Sequence, residues 1–125
     1  DDHTPILEKY IRFREKMRPY VRELMKEAHE TGRPVIRPMF YEFPDDKTCW
    51  DLQDQYLFGG DLLVAPIVHE NTYEREVYLP KGAKWTLIYD GTEYDGGQTV
   101  NVPADISQIP VFLRDGSHDE LIKEI

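Results

Sequence analysis

Apolar residues in the N-terminal part of the chain recur at steps of three and four residues, the spacing of one face of an α-helix. The stripe covers residues 4–31 and comprises Ile6, Leu7, Tyr10, Ile11, Phe13, Met17, Tyr20, Val21, Leu24, Met25 and Ala28. Thr4 followed by Pro5 is a typical helix start, because proline fits the first turn. Gly32 with Pro34 is a typical stop. The pattern therefore predicts an amphipathic helix over residues 4–31.

Pro19 lies inside this stripe and removes one donor from the helical hydrogen bonds. We therefore expect a kink or a break near Met17 and Arg18. Because the apolar stripe continues on both sides of the proline, the sequence favours a kink in one helix over two separate helices.

Beyond this helix the spacing changes to short apolar runs bounded by glycine, proline and aspartate. Residues 35–43 predict a strand, which Pro38 makes irregular or places at an edge. Residues 47–60 predict a short helix that ends at a pair of glycines. Residues 61–68 predict a second buried strand. The chain thus divides near residue 60 into a helical part and a part rich in strands.

The C-terminal half shows short strands separated by turns. The predicted strands are residues 74–79, 85–89, 97–102 and 109–114. Residues 118–125 have helical spacing, although a frayed end fits equally well. Regular short strands with glycine and proline turns are typical of an antiparallel β-sandwich. The predicted fold class is α+β, with amphipathic helices followed by an antiparallel β-sandwich of about five to six strands.

Composition agrees with a globular domain. Hydrophobic residues make up 40% of the 125 residues and charged residues 31%. No apolar run approaches the roughly 20 residues that cross a bilayer. The formal net charge of −9 disfavours contact with phosphate backbones. The sequence therefore predicts neither a membrane span nor nucleic-acid binding.

Cys49 is the only cysteine, so neither an intrachain disulfide nor a thiolate metal site can form. The histidines His3, His29, His69 and His118 are spread widely, and none has a second ligand at metal-binding spacing. We therefore expect no metal. The residues after Asp1 show no secretory leader. This favours the cytoplasm, but in a piece of a longer protein it leaves the compartment open.

The acidic residues after the first predicted strand are the first place to seek acid and base chemistry. They are Glu42, Asp45, Asp46, Asp51, Asp54 and Asp61. Glycoside hydrolysis needs two carboxylates, about 5–5.5 Å apart for retention or about 6.5–9.5 Å apart for inversion. The simpler interpretation is a solvated acidic turn in which Asp45 or Asp46 caps the next helix. Glu42 then pairs with an arginine such as Arg37. We assign no catalytic residue.

Aromatic side chains raise the question of sugar stacking, since a pyranose ring packs on a flat aromatic face. The candidates are Trp50, Trp85, Tyr56, Tyr89 and Tyr94. Aromatic residues in strands are usually core residues, and the same is expected of Phe40, Tyr41 and Phe43. Tyr94, at a predicted hairpin end, is the best candidate for an exposed carbohydrate contact. The substrate-binding residues stay unknown.

Two segments, residues 37–46 and 54–67, carry a family resemblance, and further matching positions follow them in the same order. Together they resemble the C-terminal part of the catalytic domain of glycoside hydrolase family 31, the family of α-glucosidases and α-xylosidases. The resemblance implies that residues 1–60 are the C-terminal end of a (β/α)8 barrel, with its last helices and strand. It also implies that residues 61–125 are the proximal C-terminal β-sandwich domain.

The same resemblance implies a function. Family 31 enzymes retain the anomeric configuration, carry an Asp nucleophile and an Asp acid/base on earlier barrel strands, and use no metal or organic cofactor. The chain would then be an inactive piece of an enzyme that hydrolyses α-glucosides or α-xylosides. Its partners would be the remainder of that enzyme and, in the whole protein, a carbohydrate substrate. If residues 35–43 are the last barrel strand, Glu42 and Phe43 at its end face the mouth of the active site.

Two alternatives remain open. An autonomous carbohydrate-binding or structural β-sandwich module would fold alone and bind sugars through surface aromatics such as Tyr94. A barrel strand and helix separated from the rest of their barrel would expose apolar surface, from which we expect self-association into a homo-oligomer.

Overall fold

The computed structural model describes residues 4–67, 73–104 and 109–124, apart from the side chain of Ile6. The helices are α1 (Thr4–Thr31), α2 (Met39–Glu42) and α3 (Lys47–Asp51), with a 3-10 turn at Asp119–Leu121. The strands are β1 (Ile36–Pro38), β2 (Tyr56–Phe58), β3 (Leu62–Val64), β4 (Glu74–Leu79), β5 (Lys84–Leu87), β6 (Glu93–Asp95), β7 (Gln98–Pro103) and β8 (Val111–Arg114). The predictions made for His3, Val68, His69 and Ile125 lie outside the described residues. A helical start followed by antiparallel strands confirms the α+β class.

Helix α1 is a single helix of 28 residues that runs through Pro19. It does not break there, as the continuous apolar stripe indicates. It ends where Gly32 adopts a φ of +77° and donates its N–H to the Ala28 carbonyl at 3.0 Å. This is the glycine stop that the sequence predicts. Within the described ranges, no helix combines the length and the hydropathy of a membrane span.

Six strands form one sheet in the order β1-β2-β3-β8-β5-β6, and every neighbouring pair is antiparallel. Strands β4 and β7 form a separate antiparallel pair. The predicted domain boundary at residues 60 and 61 falls in the turn between β2 and β3, which are neighbours in the large sheet. The division into barrel end and sandwich domain stays a prediction.

Successive side chains of β3 and β8 point to opposite faces of the large sheet. Leu63 and Phe112 join an inner cluster that also holds β4 and β7 side chains such as Val77. Leu62 and Leu113 join a helix cluster on the other face. This second cluster contains Tyr20 and Leu24 of α1 and Leu121 of the 3-10 turn. The sheet therefore lies between the β4–β7 pair and α1.

Residues 35–43, predicted as one strand, divide into β1 and α2. Strand β1 ends at Pro38, whose backbone is extended but has no N–H to continue the ladder. The chain then closes a helical turn, in which the Phe43 N–H donates to the Met39 carbonyl at 3.2 Å. As the proline suggests, β1 lies at the edge of the sheet.

The prediction of one helix over residues 47–60 is wrong in its second half. Helix α3 ends at Asp51, and β2 follows with Leu57 fully buried in the inner cluster. The strand β6 was also missed, since a turn is predicted where Tyr94 pairs with Trp85 of β5. Both missed strands have three residues, too few for an alternating pattern to appear in the sequence.

Candidate functional site

A cluster of charged side chains surrounds Glu42, at the point where the family resemblance predicts the mouth of a barrel. Arg37 Nη1 and Arg114 Nη1 lie 3.6 and 3.5 Å from Glu42 Oε1, and Arg33 Nη2 lies 3.7 Å from Oε2. The Glu42 side chain is 15% exposed. Its predicted pairing with Arg37 is therefore confirmed, and two further arginines join it.

Arg37 is the centre of this cluster and is only 3% exposed. Its Nε donates to the Pro34 carbonyl at 2.7 Å, and its Nη2 donates to Glu27 Oε1 of α1 at 2.5 Å. A buried cation is tolerated only when carboxylates and carbonyls occupy its donors. Arg37 meets this condition by bridging α1 and α2 through Glu27 and Glu42.

Arg114, at the end of β8, connects the cluster to the sheet. Its Nη1 donates to the Gly60 carbonyl at 3.1 Å, and its guanidinium carbon lies 4.5 Å from the centre of the Phe43 ring. A Cβ added at Gly60 would lie 2.6 Å from Glu42 Oε1. The absence of a side chain at Gly60 therefore lets the cluster approach the β2–β3 turn.

Asp46 performs the helix cap that the sequence predicts for Asp45 or Asp46. Its Oδ1 accepts the Thr48 N–H at 3.2 Å, and its Oδ2 accepts the Tyr78 hydroxyl at 2.6 Å and the Lys81 N–H at 3.0 Å. Burial alone would raise the pKa of Asp46, but these three donors outweigh it and hold the pKa below its ordinary value. Asp46 is therefore held ionised and cannot supply a proton near neutral pH.

Burial also raises the pKa values of two neutral groups near Asp46. It raises the pKa of the Tyr78 phenol to about 12, and the hydrogen bond to Asp46 adds to the effect. It likewise raises the pKa of Cys49 to about 12. Cys49 is fully buried, so it is an inert thiol that packs in the core as a small hydrophobic side chain.

An open cleft of about 390 Å³ lies beside the charged cluster. It is lined by Glu42, Phe43, Pro44, Asp45, Asp46, Lys81, Gly82 and Arg114. Three of the six candidate carboxylates therefore share one cleft. Two of these three, Glu42 and Asp46, are already bound by arginines or by backbone and phenol donors.

The remaining candidate carboxylates serve elsewhere in the fold. Asp54 lies 3.4 Å from the guanidinium of buried Arg75, and Asp61 lies 2.9 Å from Nε2 of His118. Asp51 is exposed. The contact between Asp61 and His118 was missed because the two residues are far apart in sequence. Among the described residues, no group of three or more histidine, cysteine or acidic side chains could hold a metal ion.

The aromatic candidates differ sharply in exposure. Trp85 is fully buried, and Tyr56 and Tyr89 are half-buried. The expected exposure of Tyr94 is wrong, since Tyr94 is half-buried and its ring centroid lies 6.0 Å from that of Phe112 in an edge-on arrangement. It points inward because β6 joins the large sheet beside β5. Trp50 is the exposed one, at 56%.

Residues 32–117 match the model of the Glycosyl hydrolase family 31 C-terminal domain. The chain belongs to this family. It is 43% identical to alpha-glucosidase 2 of Bacillus thermoamyloliquefaciens over 94% of its own length and 15% of that protein. It is 33% identical to an alpha-xylosidase of Saccharolobus solfataricus, over 93% of its own length and 16% of that protein.

A solved structure shows the same fold. The crystal structure of a family 31 alpha-xylosidase from a soil metagenome, complexed with xylose, superposes with a TM-score of 0.89 at 40% identity. The superposition covers 98% of this chain and 18% of the xylosidase. The chain thus corresponds to a short C-terminal part of much longer family 31 proteins.

Proposed function

We propose that this chain is the C-terminal part of a longer retaining α-glycosidase that hydrolyses α-glucosides or α-xylosides. The observation that supports this most is its alignment along nearly its whole length with 15% and 16% of proteins named alpha-glucosidase and alpha-xylosidase. Within that enzyme, residues 1–60 form the C-terminal end of the (β/α)8 barrel. Residues 61–125 form its proximal β-sandwich domain.

The chemistry takes place on residues outside this chain. Retention requires a nucleophile and an acid/base about 5–5.5 Å apart, both available to the sugar. Here Glu42 is bound by arginines, Asp46 by three donors and Asp61 by His118. The family resemblance supports an Asp pair on earlier barrel strands and a reaction without metal or organic cofactor.

The role of this chain is to support the barrel end. Glu27 of α1, Arg37 of β1, Glu42 of α2 and Arg114 of β8 form one ion-paired cluster. The cluster joins β1 and α2, in the segment that resembles the last barrel strand, to α1 and to β8 of the same sheet. The exposed apolar side chains of α1, Leu7, Tyr10, Ile11 and Met25, form a surface for the remainder of the enzyme.

The proposal is tested with the longer protein encoded by the gene. We expect it to hydrolyse an aryl α-glucoside or α-xyloside, and NMR of the first-formed sugar should show the α-anomer. Release of the β-anomer would refute the retaining mechanism. Absence of hydrolysis of both substrates would refute the assignment.

The alternative of a carbohydrate-binding module keeps one observation in its favour, the exposed indole of Trp50, which donates to Pro44 in the lining of the cleft. Unlike Tyr94, this ring is available for stacking. Sugar binding at this ring is compatible with a supporting role in a glycosidase.

A further inference from the structure

The indole of Trp50 has one covered and one open face. Its ring stacks on Phe40 with the centroids 4.3 Å apart and the planes inclined by 9°. The side chain nevertheless remains 56% exposed. Since parallel stacking covers one face, the exposure belongs mainly to the opposite face. A large flat apolar surface is thus presented to solvent.

The ring is also held in place. Its Nε1–H donates to the Pro44 carbonyl at 2.8 Å, which fixes the indole plane. Helix α3, which carries Trp50, is capped by Asp46 and anchored by fully buried Cys49. A ligand therefore meets a preorganised surface and need not restrict a mobile side chain.

The surroundings of the ring are charged and polar. Pro44, which accepts the indole hydrogen bond, also lines the 390 Å³ cleft together with Asp45 and Lys81. Lys47 precedes Trp50 by three residues and lies on the same side of α3. The centre of a protein interface is depleted of such charges. A flat apolar face beside carboxylate and ammonium groups instead matches a pyranose, which has a C–H face and a rim of hydroxyls.

We propose that Trp50 and the adjoining cleft form a carbohydrate subsite that takes one pyranose unit of an α-linked gluco- or xylo-oligosaccharide. The sugar ring stacks on the open face of the indole. Its hydroxyls donate to Asp45 and accept from Lys47 or Lys81. The stacking rests on the geometry of this chain, and only the choice of sugar rests on the proposed function.

The chain contains two tryptophans, and Trp85 is fully buried, so Trp50 reports on its own surroundings. Maltotriose, isomaltotriose and α-xylosyl-glucose should shift the exposed tryptophan emission and protect it from iodide quenching. Calorimetry should give saturable heat with a dissociation constant on the order of 1 mM. Sorbitol, which has hydroxyls but no ring face, should give neither effect.

Three variants locate the site. Trp50→Ala should weaken sugar binding on the order of tenfold, and Trp50→Phe should weaken it less. Tyr10→Ala, at an exposed aromatic of α1, should leave sugar binding unchanged. Circular dichroism checks that each variant is folded. If Trp50→Ala does not fold, Trp50→Phe serves in its place, because it keeps the stack on Phe40. Two results would overturn the subsite. One is saturable heat that is equal in the wild type, in Trp50→Phe and in Trp50→Ala. The other is no heat with any of the three sugars. Hydrolysis by the longer protein is measured separately, so failure of one proposal does not decide the other.

Discussion

Replacing Asp46 by alanine tests how the segment after β1 is attached to the sandwich. The change removes the acceptor of three hydrogen bonds, from the Thr48 and Lys81 backbone N–H groups and the Tyr78 hydroxyl. Loss of the helix cap costs about 1 kcal/mol. The charged hydrogen bond from half-buried Tyr78 adds about 1.5 kcal/mol, and the more exposed Lys81 amide about 0.5 kcal/mol. The expected loss of unfolding free energy is about 3 kcal/mol.

The assay is urea and thermal unfolding followed by the fluorescence of buried Trp85. For a chain of this size, a loss of about 3 kcal/mol lowers Tm by about 10 °C. Asp45→Ala, at the neighbouring exposed acid, is the matched control and should change stability by less than about 0.5 kcal/mol. Equal effects of the two substitutions would refute the assignment of Asp46 as the anchoring carboxylate.

The same variant carries a pH signature. Because the pKa of Asp46 is lower in the folded chain, its contribution is fully present above the unfolded value, near 4, and is lost as the pH falls through the lower folded value. The stability difference between wild type and Asp46→Ala should therefore be constant above about pH 5 and shrink below about pH 4. A difference that grows towards acid would contradict the ionised carboxylate.

Three further predictions concern other buried groups. Arg37→Met should cost about 3 kcal/mol of unfolding free energy, because it leaves carboxylates without their buried partner. The control Arg18→Met, on the exposed side of α1, should cost less than about 0.5 kcal/mol. Equal losses in urea unfolding would count against the cluster. Gly96→Ala should cost at least about 2 kcal/mol by the same assay, since a Cβ there would lie 2.1 Å from a backbone carbonyl oxygen. Gly60→Ala should cost less, because a Cβ there would meet only the side-chain ends of Glu42 and Arg37. Cys49 should resist alkylation by iodoacetamide at pH 8 in the folded chain and react in urea, as its burial and pKa of about 12 require; rapid labelling of the native protein would disprove its burial.

Long periodic segments were predictable from the sequence, and so were short strands inside apolar runs such as β3 and β8, but β2 and β6 were not. The spacing of apolar residues over residues 4–31 defines α1, and the alternation over residues 74–79 defines β4. The strands β2 and β6 are too short to carry a pattern of their own. They are strands because neighbouring strands supply their hydrogen-bond partners, which is tertiary information.

The charged cluster was foreseen only in its local part. Arg37 and Glu42 are five residues apart, and the sequence interpretation that pairs Glu42 with an arginine such as Arg37 is confirmed. Arg114 and Glu27 join them through the β8 register and the position of α1, neither of which is visible in sequence. The exposure of Trp50 and the burial of Tyr94 were missed for the same reason, because each depends on which element lies beside the ring.

We propose above that this chain is a supporting, non-catalytic part of an α-glycosidase. The most direct measurement is the turnover of aryl α-xyloside and aryl α-glucoside by the purified 125-residue chain. We expect release of the phenol no faster than in buffer. Saturable turnover that disappears when Asp45 or another of its own carboxylates is replaced would contradict it.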